Sequence, residues 1–324
     1  MYGEQDRPEA NEQIAMQQEV MQNLLMASIK EQRRQRRWGI FFKSLTFIYL
    51  FALLITFLPG DGQDAGSLAR SKHTALVDVN GVIADNTDAN ADSIITALRA
   101  AFDDKKTAGI ILRINSPGGS PVQAGYVYDE IKRLREKYPD TRLYAVVTDV
   151  CASGGYYIAA AADEIYADKA SMVGSIGVLM NGFGFTKAME KLGVERRLYT
   201  AGESKGFLDP FSPQQPDDVE HVHGLLKNIH DQFIDVVREG RGDRLKNDPR
   251  LFTGLIWTGE ESVELGLIDG LGSSSYVARE VIQEERIVDF TPKANYLERF
   301  AERLGVAMAN VMSTTLSGGQ TPLR

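Results

Sequence analysis

The chain has 324 residues, 43% of them hydrophobic and 25% charged, which is enough apolar material for one large domain or two small ones. A formal net charge of −8 gives no general attraction to phosphate backbones, so the composition argues against nucleic acid as a partner. The sequence contains one cysteine, Cys151, and cannot form a disulfide bond within the chain.

The N-terminal part has the pattern of a membrane anchor. Residues 1–37 are predicted to form a cytoplasmic tail, and residues 38–58 are almost wholly apolar. About 20 apolar residues cross roughly 30 Å of hydrocarbon as a helix, so 38–58 are predicted to be a transmembrane helix. A basic cluster precedes it: Lys30, Arg33, Arg34, Arg36 and Arg37. The positive-inside rule then predicts a single-pass protein of the inner (cytoplasmic) membrane, with its N-terminus in the cytoplasm and its C-terminal part outside. A cleaved signal peptide is the alternative, but its apolar core would be shorter and closer to the N-terminus.

A linker and a folded domain follow the apolar segment. Residues 59–72 have linker composition, the domain is predicted over 73–313, and residues 314–324 are predicted to be disordered. Within the domain, apolar runs without period-two alternation are each followed by a helical stretch, as expected for strands buried on both faces of a parallel sheet. The runs are 74–83, 109–114 and 143–148, with helices predicted around 91–104 and 121–137. The predicted fold class is α/β.

Shorter elements are predicted further along the domain. The stretches 164–168 and 194–200 have strand composition and flank a helix predicted at about 185–192. From Ser212, with Pro213 at the first helical position, apolar residues recur three and four apart and predict a long amphipathic helix.

Two strand ends carry candidate active-site residues. The first reads Asn-Ser-Pro-Gly-Gly-Ser at 115–120, which is either a simple tight turn or a loop that presents a backbone N–H to an oxyanion or receives an extended peptide. The second reads Cys-Ala-Ser-Gly-Gly at 151–155. Because neighbouring parallel strands end at the same rim of a sheet, Gly118 and Ser153 are expected to lie close together. Cys151 is interpreted as a buried small hydrophobic residue, with a nucleophilic role as the less favoured alternative.

A serine nucleophile needs a base, and histidine is a poor candidate in this sequence. His73 lies at the linker, and the other three histidines lie on one predicted helix: His221, His223 and His230. Neither a Ser-His-Asp triad nor a metal site is predicted from them, and a structural role is the favoured interpretation. A lysine can act as the base when it is neutral. Lys205 lies between glycines and near apolar residues, although a lysine there would by itself ordinarily be a surface residue.

Five motifs together resemble those of a known family. They occur in the same order and with similar spacings as in the short, single-domain form of signal peptide peptidase A, and the resemblance covers roughly residues 73–285. The motifs are NSPGGS, CASGGYYIA, SMVGSIGV, GESKGFLDP and TGEESVELGLIDGLG. Two positions depart from the family pattern, because Cys151 and Ser262 stand where alanine is common.

The resemblance assigns a role to each candidate residue. It implies that Ser153 is the nucleophile, that Lys205 is its general base, and that Ser175 hydrogen-bonds and orients the lysine. It also implies a backbone site for the oxyanion and the substrate, formed by Gly118, Gly119 and Gly154.

The same resemblance implies the fold and the partners. The expected fold is crotonase-like or Clp-protease-like, built from repeated ββα units, and the expected assembly is a homo-oligomer with shared active sites. The expected substrates are membrane-associated peptides such as released signal peptides, and no metal or organic cofactor is expected. Two other hypotheses stay open: a catalytically inactive membrane scaffold of the same fold, and a crotonase-type acyl-CoA enzyme.

Overall fold

The computed structural model describes residues 21, 26, 30–52 and 71–292. The chain divides into two units, Met1–Ala69 and Arg70–Arg324, which are described separately. In the first unit, residues 30–52 are helical with exposed side chains. No helix among the described residues is both long and apolar enough to cross a membrane. The end of the predicted transmembrane helix, most of the predicted linker and the predicted disordered tail lie outside the described residues.

The second unit is built on an eight-stranded sheet. The strands are β1 (His73–Asn80), β2 (Thr107–Ser116), β3 (Leu143–Ala152), β4 (Glu164–Ala167), β5 (Met172–Gly174), β6 (Ile256–Thr258), β7 (Gly270–Leu271) and β8 (Ile287–Asp289). Their order in the sheet is β6-β5-β3-β2-β1-β8, with β4 paired to β3 and β7 to β4. Among the described residues, every pairing is parallel except that of β5 with β6. The prediction of an α/β fold with a largely parallel sheet is confirmed.

Helices cover this sheet and connect its strands. They are α1 (Ala91–Asp103), α2 (Pro121–Lys137), α3 (Gly154–Ala159), α4 (Thr186–Leu192), α5 (Pro216–Arg241), α6 (Gly259–Glu264) and α7 (Ser274–Tyr276), with a π-helix at Val277–Ile282 and 3-10 turns at Gly242–Arg244 and Pro249–Phe252. The helices predicted at 91–104, 121–137 and 185–192 are confirmed as α1, α2 and α4.

Some of the predicted elements differ from those in the structure. The long helix begins at Pro216 and not near Ser212, because the Ser212 hydroxyl donates to the Asp209 carboxylate at 2.7 Å and does not cap a helix. No strand forms at 194–200, where the backbone is irregular and exposed. Strand β3 continues to Ala152, four residues beyond its predicted end.

The extension of β3 results from an irregular register against β2. Ile114 pairs with Val147, but Ser116 pairs with Cys151, so two residues of β2 lie opposite four residues of β3. Beyond this bulge, Cys151 and Ala152 pair with β5. The bulge therefore carries the strand on to the position where Ser153 follows it, and bulges commonly aim a side chain near a functional site in this way.

Both faces of the central strands are largely buried, which explains their mostly apolar sequences. The main core contains alternate residues of β1, β2 and β3 together with apolar residues of α1 and α2. The residues between them form a second, smaller core with Val277 and Ala278 of the π-helix: Leu76, Ile111, Tyr144 and Val146. Full burial of a valine, leucine or isoleucine side chain in these cores stabilises the fold by about 1.5–3 kcal/mol.

A buried ion pair fixes the end of α5 to the sheet. Arg241, which is fully buried, donates two hydrogen bonds to Asp269 at 2.7 and 3.0 Å and a third to the Gly266 carbonyl. Asp269 also accepts from the N–H of Ile165 in β4. Burial alone would raise the pKa of Asp269, but the hydrogen bond and charge of Arg241, with a further charge from Arg244, outweigh it and hold that pKa below its usual range.

Candidate active site

Ser153 stands between β3 and α3 in a strained backbone conformation. Its φ is +51° and its ψ −121°, a region that residues with a side chain rarely occupy. Two backbone hydrogen bonds hold it there, because its N–H donates to the Gly174 carbonyl at 2.8 Å and its own carbonyl accepts from the Tyr157 N–H at 2.9 Å. The strain is compensated by the junction of β3, β5 and α3. Strain of this kind is typical of active-site residues.

The Pro-Gly-Gly loop lies directly against Ser153. Gly118 has a φ of +98°, and a Cβ placed on it would come within 2.7 Å of both the Ser153 Cβ and the Gly154 nitrogen. A Cβ on Gly119 would come within 2.1 Å of the Ile83 carbonyl oxygen. Only glycine fits at either position. The expectation that Gly118 and Ser153 meet at one rim of the sheet is confirmed.

The two loops differ in which N–H groups are free. The Gly118 N–H donates to the Ser116 hydroxyl at 3.1 Å. Within the range 71–292, neither the Gly119 N–H nor the Gly154 N–H donates to another protein group. The two free groups are neighbours, since a Cβ on Gly154 would lie 3.3 Å from the Gly119 nitrogen. Of the glycines singled out by the sequence, Gly119 and Gly154 therefore have N–H groups available to an oxyanion.

Ser175 lies at the end of β5, beside Ser153. Gly174 pairs with Ala152, so the two serines follow directly on neighbouring strands. Ser175 is also in the left-handed region, with a φ of +52°, and its N–H donates to the Leu255 carbonyl at 2.7 Å. Its hydroxyl makes no hydrogen bond to any part of the chain that the structure describes. Two strained serines thus stand side by side at one rim of the sheet.

Lys205 lies on a separate, exposed segment. It belongs to a turn in which its N–H donates to the Gly202 carbonyl at 3.2 Å, and its side chain is exposed. Its amine has no hydrogen bond or ion pair among residues 30–52 and 71–292, and so none with Ser153 or Ser175. Nearby, the Phe207 ring contacts the His221 ring of α5 edge-on at 6.0 Å between centroids.

The segment that carries Lys205, residues 177–215, will be called the arm. None of its residues is buried. Several large apolar side chains of the arm are almost fully exposed, including Leu179 at 79%, Phe183 at 81% and Tyr199 at 89%. Several large apolar side chains exposed on one segment are typical of a surface that another protein or a membrane covers.

The other candidates have structural positions. Cys151 is fully buried, and burial raises the pKa of its thiol well above its usual range, which makes it unreactive. His230 Nε2 lies 3.1 Å from the Ile176 carbonyl, and His73 is buried with its ring stacked on Phe290. In the part of the chain that the structure describes, no group of His, Cys, Asp and Glu could hold a metal ion.

Ser116 was not singled out by its sequence. It is fully buried, and its hydroxyl donates to the Gly81 carbonyl at 2.6 Å while accepting from the Gly118 N–H. The only signal in the sequence is its place at a strand end immediately before Pro-Gly-Gly. Its hydrogen bonds depend on a loop 35 residues earlier in the chain, which local sequence does not reveal.

Comparison with known proteins agrees with this geometry. A family model described as Clp protease matches residues 73–173, and one described as peptidase family S49 matches residues 135–288. The α/β domain, with a strained serine at the start of a helix, is therefore similar to both of these protease families.

Three relatives are each similar to about two thirds of the chain. The chain is 43% identical over 215 residues to a protein named Na(+)/H(+) antiporter NhaA of Brucella melitensis, covering 66% of this chain and 29% of that protein. It is 31% identical over 231 residues to the putative signal peptide peptidase SppA of Enterococcus faecium, covering 69% and 67%. It is 31% identical over 211 residues to the chloroplastic serine protease SPPA of Arabidopsis thaliana, covering 65% and 30%. The chain belongs to peptidase family S49, and it spans less than a third of the first and third of these relatives.

Proposed function

We propose that this protein is a membrane-anchored serine endopeptidase that hydrolyses membrane-associated peptides, such as released signal peptides, with Ser153 as nucleophile and Lys205 as general base. The observation that carries the proposal is the position of Ser153, which is strained at the start of α3 beside the free N–H groups of Gly119 and Gly154. A site that pairs a serine with two neighbouring backbone donors suits acyl transfer. We also propose that the domain is built from repeated ββα units, as in the crotonase fold.

The reaction proceeds through an acyl-enzyme. The neutral Lys205 amine takes the proton of the Ser153 hydroxyl, whose oxygen bonds to the peptide carbonyl carbon. The negative charge moves to the carbonyl oxygen, where the Gly119 and Gly154 N–H groups donate to it. The carbon–nitrogen bond then breaks, and the Lys205 ammonium returns its proton to the leaving amine. Water attacks the ester in the same way, with Lys205 taking its proton and returning it to Ser153. One donor to the oxyanion is worth about 10²–10³ in rate.

Lys205 and Ser153 form no hydrogen bond with each other among the described residues, and a homo-oligomer would bring the two groups together. We propose that the arm packs against a second copy of the chain and brings its lysine to that copy's serine. The exposed apolar side chains of the arm support this, because no other described residue covers them. Burial between subunits would favour the neutral amine that a base requires. Ser175, beside the nucleophile, would hydrogen-bond and orient the incoming amine.

The location follows from the N-terminal sequence. We propose that residues 38–58 anchor the protein in the inner membrane, with the basic cluster on the cytoplasmic side and the peptidase domain outside the cytoplasm. Tethering would hold the active site near peptides left in the bilayer. Retention of the full chain in carbonate-washed membranes is expected, and its release into the supernatant would contradict the anchor.

The decisive experiment compares variants of the full chain purified in detergent. Ser153→Ala and Lys205→Ala are expected to abolish cleavage of a casein substrate and labelling by a fluorophosphonate. Lys205→Arg should also be inactive, because a guanidinium does not lose its proton. Lys191→Ala, another exposed lysine of the arm, is the matched control and should retain activity. A folded wild-type protein that neither cleaves nor labels would favour the inactive scaffold, and full activity of Lys205→Ala would eliminate the proposed base.

A further inference from the structure

We propose that Ser116 is a positioning residue for the oxyanion site, whose hydroxyl holds the Pro-Gly-Gly loop so that Gly119, and not Gly118, presents its N–H to the substrate carbonyl. This inference rests on the proposed peptidase function. It assigns to that function a residue outside the Ser153–Lys205 pair.

The Ser116 hydroxyl joins two loops that come from different strands. It donates to the carbonyl of Gly81, which follows β1, and accepts from the N–H of Gly118, which follows β2. The loops are also joined by backbone bonds, from the Gly81 N–H to Asn115 and from the Ile83 N–H to Gly118. The hydroxyl is the only side-chain group in this connection among the described residues. By accepting from the Gly118 N–H, the hydroxyl determines which N–H group of the loop is hydrogen-bonded within the protein.

The same residue also supports the helix that begins at the nucleophile. A Cβ added to Gly155 would meet the Ser116 carbonyl oxygen at 3.2 Å and its Cβ at 3.4 Å. Ser116 pairs with Cys151 across the bulge, two residues before Ser153. It therefore lies beneath both halves of the oxyanion site, the Gly119 loop and the start of α3. A change in its position would alter the distance between the two donors.

The hydrogen bond from the Gly118 N–H to the Ser116 hydroxyl affects the conformation of the loop. Without the hydroxyl, this N–H and the Gly81 carbonyl lose their partners inside the protein, where unpaired polar groups are strongly disfavoured. The loop then gains by turning the Gly118 peptide toward another acceptor, and Gly119 turns with it. Transition-state stabilisation needs donors already placed where the oxyanion forms, so such a movement lowers kcat more than it weakens substrate binding.

The test compares Ser116→Ala with a matched control elsewhere in the fold. Ser171 is 2% exposed, and its hydroxyl likewise donates to a backbone carbonyl, that of Thr148, and accepts a backbone N–H, that of Asp168, at 3.0 Å. Each alanine variant of the full chain leaves the same two kinds of group unpaired. Sites competent for reaction are counted by fluorophosphonate labelling carried to completion. The measured quantities are kcat per labelled site, KM, and inhibition by a peptide aldehyde that mimics the tetrahedral intermediate.

We expect Ser116→Ala to lower kcat per labelled site by about 10²-fold and to weaken aldehyde inhibition by a similar factor, with KM changed by less than about threefold. Ser171→Ala should leave all three quantities unchanged. A merely structural role would lower the number of labelled sites and keep kcat per site, and this result would overturn the inference. If Ser116→Ala does not fold, Ser116→Cys is tested instead, because cysteine keeps the shape of serine with a weaker donor and acceptor. Wild-type kcat and wild-type aldehyde affinity in the cysteine variant would equally overturn the inference. Absence of activity in the wild-type protein would instead refute the proposed function.

Discussion

Gly118→Ala tests whether the contact between the Pro-Gly-Gly loop and the nucleophile is required for catalysis. A Cβ at this position would lie 2.7 Å from the Ser153 Cβ and from the Gly154 nitrogen, and 2.8 Å from the Ala152 carbonyl oxygen. Two of these three atoms are backbone and cannot move without shifting α3 or β3. The φ of +98° adds conformational strain.

The loss of stability in Gly118→Ala has two causes, the positive φ and the close contacts of the added Cβ. Strain at a positive φ costs about 1–3 kcal/mol. Overpacking against a well-packed backbone costs a further amount of about 1–3 kcal/mol, so the free energy of unfolding should fall by about 2–6 kcal/mol. Because the methyl group separates the two loops that carry the oxyanion donors, kcat should also fall by at least about 10²-fold.

The assay uses urea unfolding for stability and peptide cleavage per fluorophosphonate-labelled site for activity. Gly125→Ala is the control, since a Cβ there meets no atom within 4 Å and the residue lies inside α2. Alanine is favoured over glycine in a helix, so this control should be more stable by about 0.5–1 kcal/mol and fully active. If Gly118→Ala kept wild-type kcat per labelled site, the loop would not take part in the reaction and the reasoning would fail.

Three further predictions concern the assembly, the thiol and the buried ion pair. If serine and lysine come from neighbouring chains, an equal mixture of refolded Ser153→Ala and Lys205→Ala chains should regain about a quarter of the wild-type activity, as random closed assembly predicts. No recovery in mixed oligomers would place both groups in one chain. Cys151 should resist alkylation by iodoacetamide in the native protein and react once it is unfolded in urea, and modification of native protein at neutral pH would contradict its burial. The folded-state pKa of Asp269 is below its ordinary value of 3.8, so its stabilisation is present above that pH and is lost as pH falls below it. Asp269→Asn should weaken this loss of stability at acidic pH. It leaves the Arg241 charge unpaired, so in urea melts at neutral pH the free energy of unfolding should fall by about 3–5 kcal/mol. Unchanged stability would contradict the role of the pair.

The sequence predicted the central sheet well because its strands are buried on both faces. Each of these strands is mostly apolar and lacks the alternation of polar and apolar residues that a strand with one exposed face would show. The helix α2 was predicted with its observed bounds because Ser120 caps it and Pro121 begins it. In such segments the local signals and the tertiary environment agree.

The predictions that failed depend on contacts that are distant in the sequence. Strand β3 was predicted to end at 148, because the polar stretch Thr148-Asp149 resembles a strand end. In the structure a bulge carries the chain past these residues to pair with β5. The run at 194–200 has strand composition but finds no neighbouring strand, and it stays irregular. Strand propensity is decided by pairing and burial, which composition does not supply.

The sequence by itself was enough to predict the fold class and the two glycine-rich strand ends, and its resemblance to a family suggested roles for the serine, the lysine and the glycines. Only the tertiary structure decided that Ser153 and Ser175 are both strained and that the Gly118 N–H is bonded to Ser116. It also decided that the Gly119 and Gly154 N–H groups have no partner among the described residues. The physical reason is that residue types can be recognised along the chain, whereas the availability of a backbone N–H depends on which acceptor the fold brings to it.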